Sequence, residues 1–392
     1  MNKQFFITCP KGLEPLLFDE LISLNIKGCQ QTVAGVSCAG NLEAAYKICL
    51  WSRLANRVLL YLDQFEVWNA EDLYQGIYRI DWLEHLSESG SFVVDFSGTS
   101  AVIDNTLFGA QKVKDAVVDQ IRFKSKQRPE VNKENPDLRI NVRLHQDKAT
   151  VSIDLSGKSL HQRGYRVLGG DAPLKENLPA ALLIRSAWPQ LAEKNASLID
   201  PLCGSGTLLV EGLMMAANIA PGLLREKFGF QTWRLHESTI WQDLKAEAEA
   251  IRKTNLTKTL PKIIGYDRDP HTIELAKENC QLIGLENHIE FKMGELTELK
   301  NQTQSTEGLL ICNPPYGERL EQDTEKLQET YQLIAHKARE EFKGWQLGIF
   351  TGNEGLCSRI GLRPQRKYQF YNGALPCKLF LYSIEEKYFM VK

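Results

Sequence analysis

Residues Ala196–Thr207 read ASLIDPLCGSGT, and this stretch decides the fold. The apolar run ASLID ends in an acid, breaks into Pro201-Leu202-Cys203-Gly204-Ser205-Gly206, and gives way to a helical pattern from about Thr207. Glycines at such a strand-to-helix turn let the backbone approach a ligand, and the helix start offers N–H groups that lack intrahelical partners. A phosphate-binding P-loop is excluded, because no Gly-Lys-Ser/Thr follows, and the third glycine of a dinucleotide fingerprint is not evident. Working outward, strand-like and helical stretches alternate: KIIGYD at Lys262–Asp267, a helix over Pro270–Ile283, then strands at His288–Lys292, Gly308–Cys312, Gln346–Phe350 and Lys378–Ser383. That alternation predicts an α/β unit with a parallel, Rossmann-like sheet. Residues 220–261, with Phe228, Phe230, Trp233 and Trp241, interrupt the rhythm and read as a helical insertion in a crossover.

The second chemical signal is Asn313-Pro314-Pro315-Tyr316, delivered by the strand GLLIC to the carboxyl edge of the sheet, where open α/β folds bind ligands. Two prolines fix φ and remove N–H donors, so the segment presents carbonyls and the Asn amide. An exocyclic amine needs such acceptors for its hydrogens and no donor competing for its lone pair. Tyr316 adds a flat surface for a base drawn out of its stack.

Composition bounds the rest. The 392 residues suit two or three domains, and 43% hydrophobic with 24% charged residues is globular, which excludes a largely disordered chain. The 47 basic and 49 acidic residues leave a net charge of −2, so bulk attraction to nucleic acid is not indicated. Nine scattered cysteines without a CxxC pair and seven histidines without HExxH spacing suggest neither a disulfide framework nor a metal site. No apolar run approaches the ~20 residues of a membrane span, and the N-terminus does not read as a signal peptide. The expectation is a soluble, reduced, cytoplasmic protein, a monomer or weak homodimer, without metal.

Before residue 160 the style is α+β: helices at Gly12–Leu24 and Asn41–Leu54, strands at Ser91–Ser97, Leu138–Leu144 and Ala149–Leu155, the last two a hairpin. The helix Gln111–Arg128 has apolar positions Val113, Val117 and Ile121. It carries Lys112, Lys114, Arg122, Lys124, Lys126 and Arg128 against Asp115 and Asp119, a local +4 that suits phosphates. Arg139, Arg143 and Arg163 extend the stripe if the hairpin lies alongside. Acidic stretches elsewhere, such as Glu318–Glu329, offset it in the total.

The two motifs together resemble class I S-adenosylmethionine (SAM)-dependent methyltransferases of nucleobase amino groups, over roughly residues 160–385. The resemblance implies that Asp200, Pro201, Cys203, Gly204, Ser205, Gly206 and Thr207 form the cofactor loop. It places Asp267, with Arg268 beside it, on the ribose hydroxyls, and Glu295 on the adenine amine. Asn313, Pro314, Pro315 and Tyr316 are then catalytic, with Asn313 also near the cofactor. The 67 residues between Asp200 and Asp267 exceed the ~20 of a compact nucleotide fold, an excess that the 220–261 insertion mostly explains.

The wider layout narrows the family. GLEPLL at Gly12–Leu17, ICLWSRLANR at Ile48–Arg57, GAQKVKD at Gly109–Asp115, HQRGYR at His161–Arg166, APLKENLPAALLIRSAW at Ala172–Trp188 and NPPYGERL resemble the THUMP-containing RNA guanine-N2 methyltransferases. The match is closest to the L-type bacterial 23S rRNA enzymes, which in many bacteria are fused to a second methyltransferase making 7-methylguanine. A chain ending at Lys392 is expected to lack that half. The resemblance implies a ferredoxin-like part over 1–43, a THUMP RNA-binding domain over 44–155, a helical linker over 156–195 and the methyltransferase domain over 196–392. Its implied reaction is methyl transfer from SAM, leaving S-adenosylhomocysteine (SAH), to a guanine N2 in 23S rRNA or its precursor particle. A tRNA guanine-N2 enzyme, an N6-adenine DNA enzyme using the same NPPY chemistry, a protein-glutamine methyltransferase and a non-catalytic RNA-binding protein are the alternatives.

Overall fold

A computed structural model describes residues 2–166, 174–317 and 324–389. Ala172 and Pro173 of the Ala172–Trp188 motif, Glu318–Leu320 after NPPYG, and the first residues of the acidic stretch lie outside them. The chain divides into two compact units: Met1–Cys9, Leu17–Leu160 and Arg225–Ala246 form one, and Pro10–Leu16, His161–Leu224 and Glu247–Lys392 the other.

In the first unit, β1 (Lys3–Thr8), β2 (Gln30–Thr32), β3 (Gly35–Gly40), β4 (Arg57–Glu66), β5 (Ser91–Ser97), β6 (Glu130–Val131), β7 (Leu138–His145) and β8 (Lys148–Asp154) make one sheet in the order β2-β3-β1-β4-β8-β7-β5-β6. β4 joins its two halves, pairing antiparallel with β1 through Phe5↔Leu60 and with β8 through Leu60↔Ile153. β7 and β8 form the expected hairpin. The helix Leu42–Trp51 is capped by the Asn41 side chain, which accepts from the Ala44 N–H as the sequence predicts. The basic helix spans Thr106–Ser125, begun by an Asn105 cap and ended by Lys126 in the left-handed conformation; Val113, Val117 and Ile121 are buried.

Residues 225–246, which in sequence interrupt the crossover from β9 (Ser197–Asp200) to β10 (Ile263–Asp267), group with this unit. Their aromatic residues explain it: Phe230 stacks on Tyr46 at 4.2 Å between ring centroids, and Phe228 and Trp241 pack beside it. The 3₁₀ turn Gly229–Thr232 lies so close to Gly157 that a Cβ on Gly229 would come within 2.7 Å of its backbone N. Arg225 donates to the carbonyls of Ser156, Lys158 and Ser159.

The second unit holds β9 (Ser197–Asp200), β10 (Ile263–Asp267), β11 (Glu290–Met293), β12 (Gly308–Cys312), β13 (Gln346–Thr351), β14 (Arg366–Asn372) and β15 (Leu375–Ser383) in the order β11-β10-β9-β12-β13-β15-β14. The first five run parallel; β15 and β14 are antiparallel additions. β9 and β12 are buried at every residue, as strands covered on both faces must be. From β9 the chain moves outward through β10 and β11, then returns to lay β12 on the other side of β9. That reversal is a topological switch point. The helix after β10, Pro270–Gln281, starts with Pro270 behind an Asp269 cap, where its missing N–H is harmless. No helix among the described residues is long and apolar enough to cross a membrane.

Candidate active site

The glycine-rich loop and the NPPY segment leave the carboxyl ends of neighbouring parallel strands on either side of the switch point. Leu310 of β12 is opposite Ile199 of β9, so Asn313 stands two residues beyond the level of Asp200. Gly204 and Gly206 take positive φ of 52° and 78°, which a side chain would strain, and Gly206 starts the helix Thr207–Ala216. A Cβ on Gly204 would meet nothing within 4 Å, whereas one on Gly206 would meet the Phe291 ring at 3.0 Å. Gly204 therefore faces open space where a ligand can approach the backbone, and Gly206 is needed for packing.

Two aspartates shape this loop. Asp200 is buried and accepts from the Leu202 N–H at 3.0 Å. Burial, with the Asp267 charge adding to it, pushes its carboxyl up to about 8. Asp267 accepts from the Gly204 N–H at 3.0 Å and from the Asp269 N–H at 3.1 Å, binding the end of β10 to the loop. Pro201 is buried, and the Cys203 thiol is packed over Gly265, where a Cβ would sit 2.9 Å from its sulfur. Burial raises the Cys203 thiol well above its ordinary value, so it stays neutral. Ser205 offers its carbonyl to the buried Asn279 amide and its hydroxyl to that of Thr207. Arg268 and Glu295 are exposed, the latter heading the 3₁₀ turn Leu296–Glu298.

In the second motif Pro314 is buried, Pro315 is exposed, and Asn313 and Tyr316 are half-buried. The Asn313 Oδ1 is inaccessible to solvent and has no hydrogen-bond partner among the described residues. A buried acceptor left unpaired costs about 1–3 kcal/mol, so its position calls for a ligand hydrogen. Tyr316 is held flat: its hydroxyl accepts from Asn372 at 3.2 Å, and its ring lies where a Cβ on Gly352 would come within 2.9 Å. An approachable loop backbone, carboxylate acceptors and an unpaired amide oxygen fit a nucleoside-bearing cofactor beside an amine substrate.

Sequence reasoning missed what lies behind the loop. Arg166 donates to the Thr207 hydroxyl at 2.8 Å and to the Leu174 carbonyl at 2.9 Å. Arg163 and Tyr165 both reach the Glu211 carboxylate, buried one turn along the same helix. HQRGYR was the available signal, read only as family text. Arg163 thus does not extend the basic stripe: it is 1% exposed and paired with Glu211. Arg139 is likewise committed, at 2.8 Å from Asp95. Of the six helix cations, Lys114 pairs with Asp115 and Lys124 with Asp81. Lys112 and Lys126 lie over the rings of Phe108 and Phe123, and Arg122 and Arg128 are exposed. At 100° per residue, Arg122 and Lys112 share the outward face with Asp115 and Asp119, Lys114 stands on a flank, and Lys124, in the last turn, follows the line of Val113 and Val117.

Comparisons with known proteins bear on this geometry. The profile described as "RMKL-like, methyltransferase domain" matches residues 163–380, a THUMP domain profile matches 68–154, and an RlmL ferredoxin-like domain profile matches 4–59. The chain is 49% identical over 393 aligned residues to the ribosomal RNA large subunit methyltransferase K/L of Cellvibrio japonicus (strain Ueda107), covering 100% of this chain and 52% of that protein. It spans about half the length of the curated relatives it matches. The crystal structure of SMU.472, whose methyltransferase assignment is itself provisional and which was crystallised with SAH, is 31% identical with a TM-score of 0.86, covering 100% of this chain and 99% of that one. A structure from Listeria monocytogenes str. 4b F2365, described as a predicted N6-adenine-specific DNA methylase, is 29% identical with a TM-score of 0.84, covering 97% and 96%. With its ferredoxin-like and THUMP domains preceding the catalytic sheet, the chain belongs to the RMKL-like methyltransferase family.

Proposed function

We propose that this chain transfers a methyl group from SAM to the exocyclic N2 amine of a guanine in 23S rRNA, in the cytoplasm. The observation that carries the chemistry is the buried Asn313 Oδ1, unpartnered among the described residues, directly after the strand next to the Gly204 loop. The rRNA substrate rests on the likeness to the ribosomal RNA large subunit methyltransferases K/L and on the THUMP match. In this reading Asp267 holds the ribose hydroxyls, Glu295 the adenine amine, and the Gly204 backbone the amino-acid end of the cofactor. SAM, when bound, supplies an electrophilic sulfonium methyl group.

The residues of the chain supply positioning. A guanine N2 lone pair is delocalised into the ring, so the amine is a poor nucleophile in water. Asn313 Oδ1 and the Pro314 carbonyl accept its two hydrogens and turn the lone pair toward the methyl carbon. Tyr316, fixed by Asn372, supports the flipped base by stacking. An amine that gained the methyl group would become acidic and release its proton to water, so the site requires no histidine base. NPPY alone does not separate guanine from adenine, and the Listeria relative keeps the DNA-adenine reading in view. Transfer of labelled methyl from SAM to unmodified 23S transcript, to tRNA and to duplex DNA, followed by nucleoside analysis, tests the proposal. N2-methylguanosine in the 23S transcript is the expected product; N6-methyladenine in DNA, or no transfer to 23S RNA, overturns it.

A further inference from the structure

The most one-sided charge in the chain lies outside the helix that first suggested RNA binding. Between Glu354 and Glu385 there are five cations, Arg359, Arg363, Arg366, Lys367 and Lys378, and no acid. Lys378 pairs with Glu354. The other four have no ion pair among the described residues, and all four are exposed. Arg366 and Lys367 lie on β14, the edge strand of the catalytic sheet. Arg366 donates to the Tyr368 hydroxyl at 3.2 Å, and the Arg185 guanidinium lies 4.8 Å over the ring of that tyrosine. Three residues on, Lys11 stands 4.7 Å over the ring of Tyr371. The strand ends at Asn372, whose amide donates to Tyr316 of the NPPY segment. Charges that merely guard a sheet edge need only be solvated. Here Arg185 and Lys11 lie over the rings of Tyr368 and Tyr371 on the two faces of the edge strand, Lys367 lies over the Phe380 ring and Arg366 is held by the Tyr368 hydroxyl, along about 20 Å of strand leading from the proposed methyl-transfer site.

We propose that this edge is a second RNA-binding surface, which holds the backbone of single-stranded nucleotides flanking the target base. The inference rests on the rRNA reading for its substrate but on a separate set of residues for its geometry. Cations held in place before the strand arrives lose less freedom on binding, and each neutralised phosphate of a single strand contributes about 0.7 to the salt dependence of affinity. A polyanion is favoured over an acidic protein because the track runs into Tyr316, the surface proposed to stack the flipped base.

The test uses the full chain carrying Lys11→Gln, Arg185→Gln and Arg366→Gln together. Affinity for a fluorescein-labelled single-stranded RNA of about 20 nucleotides is measured by anisotropy between about 50 and 200 mM salt. The variant is expected to bind at least about tenfold more weakly, with a salt slope flatter by about 2, while SAH affinity stays within about twofold. Its KM for unmodified 23S transcript rises more than its kcat falls, and the charge-keeping Lys11→Arg, Arg185→Lys, Arg366→Lys variant restores most of the slope. An unchanged slope and KM in a variant that still binds SAH overturns the surface and leaves edge protection or an acidic protein partner as its use. If the wild type binds SAH but methylates no 23S RNA, the rRNA reading fails, and the anisotropy arm still decides the surface.

Discussion

The two sheets treat their aspartates differently. In the N-terminal unit all three strand-borne aspartates have a cation: Asp63 of β4 meets Arg79, Asp95 of β5 meets Arg139, and buried Asp154 of β8 meets Arg57. In the C-terminal unit the two strand-borne aspartates, Asp200 and Asp267, accept, among the described residues, only from backbone N–H groups. Burial raises both Asp154 and Asp200; at Asp154 the Arg57 charge and the Ser156 N–H work against it, whereas at Asp200 the Leu202 N–H does so and the Asp267 charge adds to the rise. The contrast is confined to the strands: one sheet pairs its aspartates with cations, and the other brings two to the switch point with no ion pair among the described residues. The unpaired Asn313 Oδ1 belongs to the same pattern.

The largest effect that can break this contrast is at Asn313. Asn313→Ala removes an acceptor that folding does not use, so thermal stability should hold or rise. Turnover is expected to fall by about 10²–10³, the usual loss for one preorganised hydrogen-bonding group, with SAH affinity within about threefold. Single-turnover methyl transfer and calorimetric SAH titration check this. Unchanged turnover would sink the mechanism.

The paired aspartates give the next largest effect. Asp154→Asn leaves Arg57 without its carboxylate and should cost roughly 3 kcal/mol at neutral pH, at the low end for a buried pair because the Arg57 side chain is 29% exposed. Asp200→Asn should behave in the opposite sense. Folded Asp200 keeps its proton up to about 8, whereas an unfolded carboxyl loses it near ~4. Between those values the folded state binds more protons, so Asp200 makes the wild type lose stability as pH rises from about 4 to 8. In Asp200→Asn that slope is removed. Melting curves across pH 5–8 should show the wild type dropping by several degrees more than the variant, about the shift that a kcal/mol or more produces. Parallel curves would mean that Asp200 is charged in the fold and that the contrast between the sheets is smaller than drawn.

Much of this was legible in the sequence where the signals are local. β5 and β12 fall on the residues that composition and alternation indicate, and the loop between β9 and its helix was readable from Gly204, Ser205 and Gly206. Strands β1 to β4 were not read; QQT is wholly exposed and is a strand only through its pairing with β3, and in GVSCAG the alternation rests on Val36 and Cys38 alone. β14 was missed for a related reason: RKYQFYN is a polar edge strand with one buried residue, Phe370. Partners distant in sequence were beyond reach. Phe230 finds Tyr46 across 184 positions, and Arg163 finds Glu211 across 48. A count of charges along a helix cannot show that Lys124 is met by Asp81 from a preceding turn.

The smallest expected effect lies on the basic helix. If the pairing in the N-terminal strands extends to the helix Thr106–Ser125, the six cations of that helix and its end are unequal as phosphate partners. Lys114 and Lys124 already have carboxylates at 2.9 and 2.8 Å, and a phosphate must compete with those carboxylates for them. Arg122 and Arg128 are exposed and have no ion pair among the described residues. Both pairs are partly solvated, so breaking them costs about 0–1 kcal/mol in stability. Lys114→Ala with Lys124→Ala should therefore change RNA affinity by less than about twofold and leave the salt slope unaltered, because no counterion-releasing contact is lost. Arg122→Ala with Arg128→Ala should flatten the slope by about 1.4 for a single-stranded probe and weaken binding severalfold. Equal losses from the two double variants would show that the ion pairs open on RNA binding, and the helix would then act as one basic face.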